Sequence, residues 1–190
     1  QGTRVRKNHT SRRDAFESID VSPVSFFKDG KVEILNEDLP LKDSSRQFKA
    51  RCKFEKAVAL IKFHPSFNHN LIDHLVDSGY RGIIFEGTGL GHLSEDCYQS
   101  INVAVKRGLL VGMTSQCIWG RVNLAIYDSG RDLLNCGVIP LDGMLSETAL
   151  VKMMWALGNT KSKKEAERLM LENIAGEYPE RSLFERRQKI

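Results

Sequence analysis

No stretch of the sequence approaches the roughly 20 consecutive apolar residues that a membrane-spanning helix needs, so nothing in it predicts such a helix. No apolar segment follows the basic start "QGTRVRKNHTSRR", so no secretory signal is read there. The chain also lacks an initiator Met, as expected of a processed, truncated or partly ordered chain. Cysteine is scarce: Cys52, Cys97, Cys117 and Cys136 contain no C-x-x-C pair. Four reduced thiols in a cytoplasmic protein are expected, not a disulfide frame or a zinc site. His64, His69 and His74 are five apart, whereas neighbours on one helical face are three or four apart, so no metal site is read from them. There is no G-x-x-x-x-G-K-[ST] phosphate loop, no internal repeat and no low-complexity tract.

What is present alternates as an α/β layer does. "AVALIKF" (57–63) is a nearly continuous apolar run of the kind found in buried parallel strands. "HNLIDHLVDSGY" (69–80) sets Leu71, Ile72, Leu75 and Val76 at helical spacing before a stop at Gly79. "GIIFEG" (82–87) predicts a second strand. In "SEDCYQSINVAVKRG" (94–108), Ser94 is the expected N-cap and Glu95 and Asp96 suit the positive end of the helix dipole. Cys97, Tyr98, Ile101, Ala104 and Val105 form the buried stripe of that helix, and "LLVGMTS" (109–115) is a third strand. Further on, Ser146 is expected to cap "ETALVKMMWAL", with Gly158 ending it, and Leu145 and Leu150 are spaced as a hydrophobic staple. Ser162 and Glu165 form a capping box for "KKEAERLMLENIA", ended by Gly176. Met153, Met154 and Trp155 are read as core.

Upstream, Asp29-Gly30 is a hairpin signal between two short strand-like runs. A lone hairpin buries no core, so residues 1–35 are expected to pack on material outside this chain. The polar stretch 36–52, with Pro40, reads as a linker to the body at 53–190.

Two features carry the functional question. Arg4, Arg6, Lys7, Arg12 and Arg13 precede the first acid, Asp14, although the net charge is only +4. Such a cluster is either an ion-paired, solvated edge or a contact for RNA phosphates. The second feature is "FEGTGLGHLSED" (85–96), with Gly87, Gly89 and Gly91 at alternate positions after a strand. It departs from the dinucleotide fingerprint G-x-G-x-x-G, because the third glycine comes one residue early and no acid follows the next strand. Two readings remain: a tight turn, or a loop that lets backbone approach another surface at the carboxyl end of a strand, where open α/β sheets place ligands. "MTSQ", ending the next strand, is expected beside it.

The stretches "VDSGYRGIIFEGTGLGHLS" and "GLLVGMTSQCIWGRVNLAIYDSGRDLLNCGVIPLDGMLSETALVKMMWALGNT", with the opening "GTRVRKNHTSRRDAF", resemble the asparaginase/glutaminase amidohydrolase family, on the side of its tRNA-dependent amidotransferases. The resemblance covers nearly the whole chain and is weakest in the linker and after Ser162. It implies an α/β fold in which residues 53–190 form the family's C-terminal parallel-sheet domain and residues 1–35 the tail end of its N-terminal α/β domain. That N-terminal domain carries threonine nucleophiles in T-G-G-T and H-G-T-D-T stretches, and neither occurs here. The family's V-x-K-x-x-T pattern falls on Val5-Arg6-Lys7-Asn8-His9-Thr10, which makes Lys7 the catalytic position carried over. A threonine hydroxyl is a poor nucleophile until its proton is taken, and a Thr-Asp-Lys relay can take it. The resemblance also assigns substrate binding to His92, where asparaginases often have Asn, and to Tyr127, by an ungapped count from Thr114.

By that resemblance the activity is release of ammonia from glutamine, for conversion of Glu-tRNA(Gln) to Gln-tRNA(Gln). The implied partners are the amidotransferase's E subunit, tRNA(Gln) through the complex, and a second copy of the chain, because the C-terminal domain of one copy reaches its neighbour's active site. No cofactor is implied in this chain; ATP and Mg belong to the E subunit. Lacking both threonine motifs, the chain by itself is expected to be inactive. A stand-alone L-asparaginase and a non-catalytic dimerisation and RNA-docking module are the alternatives.

Overall fold

In a computed structural model, residues 2–36, 43–45 and 47–180 are described; part of the predicted linker and the last ten residues lie outside them. The body is a parallel sheet of four strands in the order β5 (Val58–Lys62), β6 (Gly82–Gly87), β7 (Leu110–Ser115) and β8 (Ile139–Pro140). Period-two alternation sorts its side chains to two faces. Ile83 and Phe85 of β6 and Val111 and Met113 of β7 face one core. That core is closed by Ile72 and Leu75 of α1 (Asn70–Asp77), Ile101 and Ala104 of α2 (Tyr98–Lys106) and Leu133 of α3 (Asp128–Asn135). Ile84 and Leu110 face the other, filled by Ala149, Met153 and Ala156 of α4 (Ser146–Asn159) and by Ala166, Leu169 and Met170 of α5 (Lys163–Leu171). A sheet buried on both faces explains why its strands read as continuous apolar runs.

The predicted strands and helices are present, and among the described residues the structure adds α3, the two-residue β8 and a second amino-terminal hairpin. Several signals act otherwise than the sequence predicts. The Ser146 hydroxyl does not cap α4; it donates to Glu86 Oε1 at 2.5 Å. Gly158 lies inside α4, where an added Cβ would stand 2.6 Å from the Lys53 carbonyl oxygen. It marks a close approach of the incoming chain, not a stop. Ser94 starts a short 3-10 turn (Glu95–Cys97), and its hydroxyl lies 3.6 Å from Cys97 Sγ instead of capping. Ser162 does accept from the Glu165 amide, at 3.2 Å, but α5 ends at Leu171, not Ala175.

Before the body stand two antiparallel hairpins. β3 (Ser25–Lys28) pairs with β4 (Lys31–Ile34) through the Asp29-Gly30 turn, both residues at positive φ as that turn requires. It is exposed at every position. The other hairpin, β1 (Val5–Lys7) with β2 (Phe16–Ser18), is tied to the body by Arg6, which pairs with Glu147, and by the residues just before it. Arg4, just before β1, is fully buried; its guanidinium donates to the carbonyls of Ile19 (3.0 Å), Glu177 (3.2 Å) and Gly143. Thr3 donates to the Ala175 carbonyl at 2.9 Å.

Glu177 organises the turn that receives Arg4. Its buried carboxylate accepts from the Ile174 and Ala175 amides and pairs with the buried ammonium of Lys152 on α4. Burial pushes the Glu177 carboxyl up, but Lys152 and those amides outweigh it, and the net direction is down from 4.5. A carboxyl depressed by folding stabilises above its unfolded value, and that stability is lost as pH falls through the folded value. Glu177→Gln leaves Lys152 buried without its charge partner, which costs about 3 kcal/mol or more. Thermal melts between pH 7 and pH 3 are expected to show a lower Tm for the variant at pH 7 and a shallower loss on acidification below pH 4.5 than in the unsubstituted protein. Parallel melting curves would refute the assignment.

Candidate functional site at the carboxyl edge of the sheet

The glycine loop leaves the carboxyl end of β6, the central position that two-sided burial gives it. Register pairs Gly87 with Ser115, so the loop and the "TSQ" stretch meet as predicted. The Ser115 hydroxyl donates to the Gly89 carbonyl at 2.6 Å and the Gln116 amide to the Gly87 carbonyl at 2.9 Å. The Gln116 side chain bridges further, to the carbonyls of Phe63 (2.5 Å) and Glu86 (3.0 Å). The loop closes on itself where the Thr88 amide donates to the His92 carbonyl at 3.0 Å.

Each glycine has its own reason. Gly87 has no space for a side chain, since an added Cβ would sit 2.7 Å from the Gly91 carbonyl carbon. Gly91 needs both space and conformation. Its φ is +106°, and a Cβ would lie 2.8 Å from Met113 Cγ, 2.9 Å from Val122 Cγ1 and 3.2 Å from Leu124 Cδ2. Leu124 in turn presses its carbonyl oxygen against Gly130 in α3, where a Cβ would stand only 2.3 Å away. These two approaches carry the start of α3 up to the loop and set Tyr127 and Ser129 beside His92.

His92 is half-buried. Its ring lies 5.4 Å from the Tyr127 ring, centroid to centroid and edge-on. Its Nδ1 is 3.1 Å from the Ser129 hydroxyl. Its Nε2 is buried and has no hydrogen-bond partner among the described residues. Buried polar atoms in folded proteins are ordinarily paired with protein, water or a ligand. Tyr127 is 57% exposed, so the pair opens to solvent on one side. Tyr98 holds Ser129 from below, donating to its carbonyl at 3.2 Å; burial, with Asp132 adding, pushes that phenol up, so it stays a donor at neutral pH. The structure thus brings together the two sequence-predicted binding residues. Ser129 escapes a reading of the sequence, because a serine beside Asp128 reads only as a helix start.

Lys7 lies elsewhere, exposed on β1, its Nζ 5.7 Å from the centroid of the Phe16 ring. With Asn8, His9 and Thr10 it lines a shallow open depression. The neighbouring cations do not form one basic surface. Arg4 is buried, Arg6 pairs with Glu147 at 3.3 Å, and Arg12 pairs with Asp14. The ion-paired edge describes Arg6 and Arg12; Arg4 is instead a structural clamp. Among the described residues, no three of His, Cys, Asp and Glu gather to hold a metal, and no helix is long and apolar enough to cross a membrane.

Gly91→Ala is expected to lose at least about 2 kcal/mol of stability, because strain at positive φ adds to an overpacked contact. It should also displace His92. Denaturant unfolding reads the first effect; a variant as stable as the parent would mean the loop has room that these distances deny.

Comparison with known proteins follows the same lines. The family model described as "Glutaminase/Asparaginase C-terminal domain" matches residues 57–170. The chain is 53% identical over 93% of its length to the D subunit of the glutamyl-tRNA(Gln) amidotransferase of Pyrococcus furiosus, and 50% identical over 96% to the same-named protein of Metallosphaera sedula. It spans only 40% and 42% of those relatives' own length. Among solved structures, the thermostable L-asparaginase of Thermococcus kodakarensis superposes with a TM-score of 0.82 at 31% identity, over 93% of this chain and 53% of that one. L-asparaginase I of Vibrio cholerae gives 0.83 at 26%, over 94% and 54%. A parallel sheet buried on both faces, a glycine loop at its carboxyl edge and this match over residues 57–170 place the chain in the glutaminase/asparaginase C-terminal domain family.

Proposed function

We propose that the chain belongs to the glutaminase component of a tRNA-dependent amidotransferase, a cytoplasmic enzyme that frees ammonia from glutamine for conversion of Glu-tRNA(Gln) to Gln-tRNA(Gln). The observation that carries this reading is identity of 53% to the D subunit of such an amidotransferase, against 31% to an asparaginase of known structure. In this reading His92 and Tyr127 hold the amino-acid end of glutamine, and the pairing of their rings supports it. Lys7 belongs to the proton relay that activates a threonine supplied by sequence outside this chain. Lys7 and the His92–Tyr127 pair lie on different elements, which fits a site assembled between two copies. The partner is the amidotransferase's E subunit, which uses ATP and Mg to activate the glutamate on tRNA(Gln) and accepts the ammonia. A stand-alone L-asparaginase is the second reading, favoured by the superposition on two asparaginases.

Ammonia release by the full-length protein separates the two. Glutamine turnover should rise when misacylated tRNA, the E subunit and ATP are added. Equal turnover without them, with asparagine preferred, would make the protein an asparaginase. The isolated chain should release no ammonia from either amide, because both threonine motifs are absent from its sequence. Lys7→Ala in the full-length protein should lower glutaminase kcat at least about a hundred-fold, the scale of general acid–base catalysis, with unchanged circular dichroism. Near-normal turnover would remove Lys7 from the relay.

A further inference from the structure

The pocket at His92 has a third member. We propose that Ser129 is a positioning residue: its hydroxyl donates to His92 Nδ1, fixes the proton on Nε2, and so aims an N–H donor at the α-carboxylate of the amide substrate. The proposal rests on the reading that His92 contacts the substrate's amino-acid end.

The Ser129 hydroxyl and His92 Nδ1 are 3.1 Å apart, and geometry alone permits either to donate. In the proposed arrangement the hydroxyl donates and Nδ1 accepts. Neutral imidazole then carries its one proton on Nε2. That atom is buried and unpartnered, and a buried N–H without an acceptor costs free energy that a ligand oxygen recovers. A carboxylate meets the demand; an ammonium, which only donates, does not.

The rest of the fold holds this arrangement in place. Ser129 is the second residue of α3, and Tyr98 fixes its backbone from α2. The approach of Leu124 to Gly91 and to Gly130 ties the loop carrying His92 to the helix carrying Ser129. Tyr127 lies edge-on to the imidazole, its ring centroid 5.4 Å away. The site therefore discriminates through one oriented donor, which a ring free to flip would not supply.

Steady-state kinetics on the full-length protein test this, with glutamine and its α-methyl ester as paired substrates. Ser129→Ala should raise KM for glutamine about ten-fold, the worth of a hydrogen bond to a charged group, with the loss falling on KM rather than kcat. KM for the ester, which has no carboxylate, should move little. Ser129→Thr, which keeps the hydroxyl, should restore the preference for glutamine. An equal rise for both substrates, or no rise in Ser129→Ala where His92→Ala does raise KM, would overturn the proposal. Unchanged KM in His92→Ala would instead remove the underlying reading of the pocket, and the role of Ser129 with it.

Discussion

Leu124 touches two glycines at once, and that double contact organises the carboxyl edge of the sheet. Its Cδ2 lies 3.2 Å from where a Gly91 Cβ would stand, and its carbonyl oxygen 2.3 Å from where a Gly130 Cβ would stand. The approach to Gly130 does not survive a Cβ, and at Gly91 Met113 and Val122 press closer still, so the loop after β6 and the first turn of α3 meet at a distance that suits glycine. The imidazole of His92, the phenol of Tyr127 and the hydroxyl of Ser129 are grouped by that constraint, within which the hydroxyl and His92 Nδ1 come to 3.1 Å. Chemistry at this edge is thus a consequence of backbone packing beneath it.

A second constraint binds the amino-terminal hairpin to the body. Burying a guanidinium is costly unless its donors are satisfied; Arg4 finds three carbonyls on three different segments, while its Nη2 has no hydrogen bond among the described residues and lies 3.9 Å from Asp20 Oδ2. One of those segments is shaped by Glu177, whose carboxylate is fixed by Lys152 from α4. The ionic pair, the turn and the clamp form one connected path from α4 to β1. Lys7 stands three residues beyond Arg4, so its placement depends on the domain that holds the arginine.

Much of the architecture could be read along the chain. Strands buried on both faces announce themselves as apolar runs, and helices such as α1 announce themselves by spacing and a terminal glycine. The misreadings share a cause. Ser146 and Ser94 have the residue type of a cap, yet their hydroxyls go to Glu86, distant in sequence, and toward the Cys97 side chain instead of a backbone amide. Gly158 has the type of a stop, yet it serves the close passage of Lys53. Local signals state what a residue can do; which option is taken depends on what the fold brings near.

The candidate site divides the same way. Glycines at alternate positions after a strand, and the family resemblance around them, single out His92 and Tyr127 from sequence alone. Nothing local distinguishes Ser129, because its partner is 37 residues away and meets it only through the Leu124 contacts. Arg4 reads as one more cation in a basic cluster until the carbonyls of Gly143 and Glu177 surround it. Periodicity and composition determined the layers and the order of their elements, because hydrophobic burial follows a repeat that is written locally. Which polar atoms are satisfied, and which are not, was decided by the tertiary structure, because hydrogen bonds depend on distances between segments that the sequence does not contain.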